Sequence, residues 1–506
     1  MDTPRRMPRR QRGALDLRRQ RGALDLRRQR GALALMLGVA MAGLLLLMGM
    51  ALDLGQLYTR KAELQLLADA TALAAARELN GTSAGVASAL AKAADAAAGA
   101  RYQFGRYPVA WSSAALRFSA TPDAAGNWLG AAAAQAAPDG LQYVRADSGL
   151  LDAAHGQMQT VFMRLLASAW NTVSTSARAV AGRLTIAATP LAVCALSNTP
   201  AAARLNPGPP APLNELVEYG FRRGVGYDLM QLNPNGLAPE HFAIDPLSPP
   251  GSPGSAAHTA ASVLSPYVCA GTLQIPRLQG GAITVSRGFP LASQYQQLNS
   301  RFDQYAGGAC SPNGAPPDTN VKSYVYTAIP WMSTARNGQG AKRYADAASG
   351  KLWTVADPLP SPAGTAGADY GPLWSYAKAV PFASYVAGAA EPATGYSSYA
   401  SGNWAVLYAP GAPVASGYPA STPYLAVAGA NYQAPSAANL PGLRQRRVLN
   451  VALLACPLPA GGTVSATVLA VGKFFMTAPA SATALYAEFA GAVPDQALGG
   501  AVELLP

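Results

Sequence analysis

A run of twenty-two residues without a charge, Gly31 to Leu52, constrains this chain more than any other feature. It reads GALALMLGVAMAGLLLLMGMAL. At 1.5 Å rise per residue a helix of that length covers ~33 Å, enough to cross a hydrocarbon core of about 30 Å. Eleven arginines crowd the thirty residues before it, and arginine-rich flanks stay on the cytoplasmic side. The expected topology is a single pass, with the bulk of the chain from Asp53 onward outside the cytoplasm. A cleavable signal peptide fits less well. The apolar run is about twice the usual h-region of 7–15 residues, and Gly49 and Ala51 form only a weak small-x-small cleavage site.

The net charge of +12 suggests nucleic acid until it is located. Residues 1–30 hold eleven Arg and three Asp, leaving 27 basic and 23 acidic residues of the chain's 38 and 26. Topology therefore accounts for most of the basicity, and no clustered patch remains to serve as a nucleic-acid footprint. Within the arm, Arg9, Arg18 and Arg27 each open a copy of RRQRGAL. A nonapeptide is too short to be a self-supporting repeat, so the copies add charge next to lipid headgroups and no fold.

All four cysteines, Cys194, Cys269, Cys310 and Cys456, fall after the span. An even count in an oxidising compartment suggests two disulfides. Spacing alone leaves three pairings open. Cys194 with Cys456 is favoured because each sits in an apolar, strand-like run (PLAVCAL and VALLACPL), leaving Cys269 with Cys310; four buried free thiols are the alternative. No CxxC pair is present to suggest a zinc knuckle.

The expected fold class is α+β, in four parts. A basic arm (1–30) leads into the transmembrane helix (31–52). Residues 53–192 form a helical stalk with a small α+β domain, and 193–506 a β-rich, loop-heavy domain. Leu57, Leu64, Ala68, Ala72, Ala75 and Leu79 recur at helical spacing, so the span continues as helix to a stop at Asn80-Gly81. Thr82 or Ser83 then caps a second helix reaching about Tyr102. YPVAWSSAALRFSA, LQYVRA and TVSTSARAVAGRLTI read as strands, and Met158–Trp170 reads as a helix. From Leu196 short strands alternate with Pro/Gly loops, and the stretches 448–456, 464–475 and 484–490 read as strands of the closing sheet. In the span, Ala34, Gly38 and Ala42 share one face and suit close approach of another helix. Asp53 is either the first solvated residue beyond the span or a functional one. Gln65 and Asp69, at i and i+4, either bond a neighbouring helix or form a solvated stripe.

Arg30-Gly31, Asp53-Leu54-Gly55, Tyr58, Leu64-Gln65 and Ala68-Asp69-Ala70 occur in the order seen in the amino-terminal segment of TadG-like proteins of the tight-adherence (Flp) pilus assembly system. Over roughly fifty residues the chain resembles that family. SARAVAGR (176–183) and RRVLNVALLAC (446–456) resemble further family segments. The resemblance implies residence in a bacterial inner membrane, a periplasmic bulk, and partners among pilus-assembly proteins or pilin. Two departures matter. The Asp-x-Ser-x-Ser adhesion motif of members with a von Willebrand A domain does not occur, so no metal is implied. Met36 stands where pseudopilin relatives carry the glutamate that follows their processing site.

Motifs of catalysis are missing. His155, His241 and His258 form no close metal-ligand cluster. The GxSxG string at Gly81–Gly85 follows a helix rather than the strand a nucleophile elbow needs. The expectation is no enzyme and no cofactor, but a structural or assembly protein of a Tad-type pilus acting by protein–protein contact. A surface-exposed adhesin or minor pilus component is the alternative, with the Tyr- and Trp-rich stretch 324–424 as its contact surface or, more simply, as core. Arg222-Arg223 likewise reads as a docking site for an acidic partner or as solvated surface.

Overall fold

A computed structural model describes residues 13–123, 127–138, 140–329, 331, 338–357, 370–389, 391–409 and 417–505. Part of the basic arm, with the start of the first copy of its repeat, lies outside the described residues, as do the side chains of residues 13–31. The chain divides into two compact units. The first comprises residues up to Thr71 with Ala94–Ala115 and Ala146–Ala179; the second comprises Ala72–Ala93, Leu116–Arg145 and Val180 onward.

Helix α1 (Gly13–Glu78) is continuous through the apolar run and beyond it. Its sequence holds no proline and is rich in Leu, Ala, Met and Gln, all strong helix formers. One stripe beyond the span is buried, from Leu64, Leu67 and Ala68 to Ala72, Ala75 and Leu79. The chain leaves the helix at Asn80 and turns at Gly81, whose φ of 77° is strained for any residue with a Cβ. Helix α2 (Ser83–Ala98) follows, with Thr82 as its cap: the Thr82 hydroxyl accepts from the Gly85 N–H at 3.0 Å. It ends at Ala98, short of Tyr102, because Gly99 follows.

The first unit also contains an antiparallel hairpin of β1 (Gln157–Gln159) and β2 (Thr172–Ser174), with Gln157 opposite Ser174 and Gln159 opposite Thr172. The helix expected over Met158–Trp170 is therefore corrected to a strand and a hairpin tip carrying two single 3₁₀ turns, Met163–Leu165 and Ser168–Trp170. Thr160 closes the tip, its N–H donating to Asn171 and its hydroxyl to the Trp170 carbonyl at 2.6 Å. The following amides bond to Asp53 instead of starting an i→i−4 ladder. The stretch 172–186 contains two strands, β2 and Arg178–Arg183.

The second unit is organised by a seven-stranded sheet of β3 (Leu191–Cys194), β4 (Gly226–Asp228), β5 (His241–Ile244), β6 (Ala282–Arg287), β7 (Val448–Leu454), β8 (Thr463–Met476) and β9 (Tyr486–Val493). Their order is β4-β9-β8-β6-β5-β3-β7, and β7 also bonds β8, so five strands close into a ring. The β3–β7 pair is parallel and the other pairs are antiparallel. Alternation sets the two faces. Ala192, Cys194, Phe242, Ile244, Ala452 and Leu454 point into one cluster. Leu191, Val193, Ala243, Leu449, Val451 and Leu453 point into a larger one.

That larger cluster takes in much of the aromatic stretch. Tyr324, Trp331, Trp374, Trp404, Tyr408 and Tyr424 are all buried in it. Trp374 meets Trp404 edge-to-face at 5.2 Å, and its indole N–H donates to the Tyr408 hydroxyl at 2.6 Å. Tyr376 stacks on Phe475 of β8 at 4.8 Å. These rings are where loops of irregular backbone find enough apolar area to hold a single conformation.

Candidate functional site

One concentrated arrangement of polar groups around a sequence-predicted residue lies where the apolar run ends. Leu46, Gly49, Met50 and Asp53 follow the i, i+3, i+4, i+7 spacing of one helical face. The hairpin tip covers that face: Gly49 is buried, and a Cβ there would overlap the Phe162 ring. Asp53 is 1% exposed, so it is not a solvated residue. One carboxylate oxygen accepts from the Val161 N–H at 3.0 Å; the other accepts from Phe162 at 2.8 Å and Met163 at 2.7 Å. A single carboxylate thus gathers three successive backbone donors, as an anion-binding nest does.

The same helix repeats the device further along. Arg60, 4% exposed, donates to the His155 carbonyl at 3.0 Å and lies over the Tyr102 ring at 4.7 Å. Glu63 accepts from the N–H groups of Gln103 and Phe104, each at 2.8 Å, and both residues sit at positive φ (56° and 57°). Gln65 donates to Asp69 at 2.7 Å and to the Arg178 carbonyl at 3.0 Å. Gln65 and Asp69 are half-buried, and the bond Gln65 makes beyond its own helix is to a strand. Arg60 and Glu63 escape sequence analysis; their signal is the seven- and ten-residue spacing from Asp53, which puts all three near one side of the helix.

The opposite side is bare. Leu54 is 42% exposed, Tyr58 71% and Leu66 72%, and Ala62 between them is exposed. In the span, Ala34, Gly38 and Ala42 are exposed, and nothing lies within 4 Å of a Cβ built at Gly38. Among the described residues no element packs against this seam.

The remaining candidates lie in the second unit and hold it together. Cys194 is joined to Cys456 and Cys269 to Cys310. Arg222 and Arg223 are not surface. The fully buried Arg222 pairs with Glu215 at 2.7 Å, and Arg223 is held by Glu218 at 2.5 Å and Glu391 at 2.8 Å. Burial disfavours the charged guanidinium of Arg222, but Glu215 outweighs it and holds its pKa above the usual arginine value. The Glu488 carboxylate accepts from Ser375, Tyr376 and Ala377, and burial nonetheless raises its pKa to about 7.

Each histidine is also satisfied locally. In the first unit, His155 meets the Asp152 carbonyl and the Ala110 N–H at 2.9 Å each. In the second, His241 accepts from Phe289 at 2.8 Å, and His258 lies 2.9 Å from Asp245. A cleft of about 580 Å³ is lined by Asp228, Gln339, Arg343, Thr354 and Tyr486. Burial raises the Asp228 carboxyl, but among the described residues the cleft lining contains no nucleophile–base pair. Among the described residues no group of three or more His, Cys, Asp or Glu could hold a metal ion.

These features define a class: a protein with one helix long and apolar enough to cross a membrane, which continues as helix beyond its apolar run and organises a folded domain around its far end. Residues 31–78 match the family described as Putative Flp pilus-assembly TadE/G-like. That match bears out the resemblance read from the Arg30–Ala76 motifs, supports a role in a Tad system, and points to assembly or structure rather than catalysis. No curated protein and no solved structure matches the chain.

Proposed function

We propose that this protein is a membrane-anchored assembly protein of a Tad (Flp) pilus, working by protein–protein contact in the periplasm with its amino terminus in the cytoplasm. The carrying observation is the two-sidedness of the family-matched helix. One side holds its own domain through Asp53, Arg60 and Glu63, while the other leaves Leu54, Tyr58, Ala62 and Leu66 open at four-residue intervals. An apolar stripe of that form suits another amphipathic helix, from pilin or a second assembly protein. The Ala34–Gly38–Ala42 seam would extend the contact into the bilayer. The adhesin alternative rests on exposed aromatic residues, and those at 324, 331, 374, 404 and 424 are core.

The test is crosslinking in cells that build the pilus, with a photoreactive residue at Tyr58 or Leu66 and a control at Val427, which is 83% exposed. Adducts to pilin or assembly proteins from positions 58 and 66, absent at 427, are expected. A reporter fused after Pro506 should be active in the periplasm. Cytoplasmic activity, or adducts equal at all three positions, would end this reading.

A further inference from the structure

We infer that the β1–β2 hairpin tip, residues 160–171, is a second membrane contact. It would be a re-entrant foot that lies in the headgroup–acyl boundary of the leaflet where the apolar span ends. The inference rests on the membrane anchoring of α1. Its first support is level. Phe162 packs at Gly49, four residues inside the end of the span, so the tip reaches ~6 Å below Asp53 along the helix axis. Interfacial elements settle ~5–10 Å into that boundary. A tip pinned to the side of a membrane-spanning helix at this level has lipid as its neighbour.

The second support is what the tip presents. Val161 is 49% exposed, Leu165 68%, Leu166 47% and Trp170 45%, an apolar patch that water alone does not favour. Tryptophan suits the headgroup level. Arg164 is exposed between Val161 and Leu165, and no Asp or Glu occurs from residue 153 to 183, so the foot offers cationic charge to anionic headgroups.

The third support is backbone bookkeeping, since non-helical chain at membrane depth is tolerated only when its N–H groups are paired. The amides of Val161, Phe162 and Met163 bond Asp53. Those of Leu165, Leu166 and Ala167 bond carbonyls at Phe162 and Met163, and those of Trp170 and Asn171 bond Ala167 and Ser168, while the amides of the exposed Arg164, Ser168 and Ala169 are left to the water and headgroups of the boundary. The Asp53 carboxylate thus stands in for solvent, offering these amides the acceptors that water would provide at an exposed tip.

The experiment uses the full chain, one copy per lipid nanodisc of phosphatidylcholine and phosphatidylglycerol. Leu165→Cys, Ala42→Cys and Val427→Cys are each labelled with an environment-sensitive dye; the native cysteines are disulfide-bonded, so labelling is selective. Lipids carry a nitroxide either near the headgroup or deep in the chain. The expected result is that the Leu165 label loses most of its emission to the shallow nitroxide, the Ala42 label to the deep one, and the Val427 label to neither. A Leu165 label as bright as Val427 beside a quenched Ala42 overturns the foot and leaves the anchor standing. An unquenched Ala42 label overturns the anchor itself, and the foot with it.

Discussion

Replacing Asp53 should free the hairpin tip without unfolding the rest of the protein. In Asp53→Ala the three amides of residues 161–163 lose their acceptors together. Hydrogen bonds to a charged group contribute ~1.5–3 kcal/mol each, so three bound the loss at roughly 5–9 kcal/mol. Opening of the tip lets water reach the donors and caps the cost well below that bound. Even ~3 kcal/mol of lost local stability would speed their exchange with solvent about a hundredfold. Asp53→Asn should fall between, because its single oxygen can replace only one of the two oxygens that now accept. The assay is amide hydrogen exchange on the full chain in nanodiscs, read at residues 161–163 and at β7 as an internal reference. Unchanged protection at 161–163 in Asp53→Ala would refute the claim that this carboxylate holds the tip. Equal loss at β7 would show instead a general collapse.

Three further outcomes follow from the second unit. The Cys194–Cys456 bridge spans 262 residues and Cys269–Cys310 spans 41; chain entropy puts their stabilisation at ~6 and ~4 kcal/mol, so Cys194→Ser should lower the denaturation midpoint more than Cys269→Ser. Arg222→Met leaves Glu215 buried without its partner and should cost ~3–5 kcal/mol, much of it regained in the double variant with Glu215→Leu, as chemical denaturation in detergent would show. Glu488 has its pKa raised to about 7, so its stabilising contribution is full below about 4.5 and is lost as pH rises through about 7, by up to ~3 kcal/mol. Stability of the native protein relative to Glu488→Gln should therefore fall across that window. The lowered pKa of His241 acts in the opposite sense but cancels in the comparison; a flat difference would argue that Glu488 stays ionised.

What the sequence makes legible is local in origin. The span, its helical continuation and the stop at Gly81 follow from composition and period over neighbouring residues. The closing strands read as 448–456, 464–475 and 484–490 appear as β7, β8 and β9 with shifted ends, because each is an apolar-rich run, alternating in the first half of β8 and mostly buried in β7 and β9. The hairpin tip is illegible for the opposite reason. Leu165, Leu166 and Ala167 are good helix formers, yet the conformation before them is dictated by Asp53, 108 residues earlier. Arg222 and Arg223 look like solvated surface until Glu215, Glu218 and Glu391 are brought around them. The role of Asp53 is only half visible: its place at the end of the span is plain in the sequence, but its three donors are not.

The parallel pairing of β3 with β7 also imposes a timetable on synthesis. Cys194 lies beside Leu454, and its covalent partner is 262 residues further along. At ~5–20 residues per second, a ribosome needs roughly 13 to 50 s to cover that distance. Within that interval, until β7 has been made, β3 can have at most one ring neighbour, β5, and the other edge of its apolar strand stays unpaired. Helix α1, by contrast, is complete before the first strand of the ring has been made. This domain therefore passes through a half-closed intermediate, and any chain ending before Val448 would remain one, lacking β7, β8 and β9.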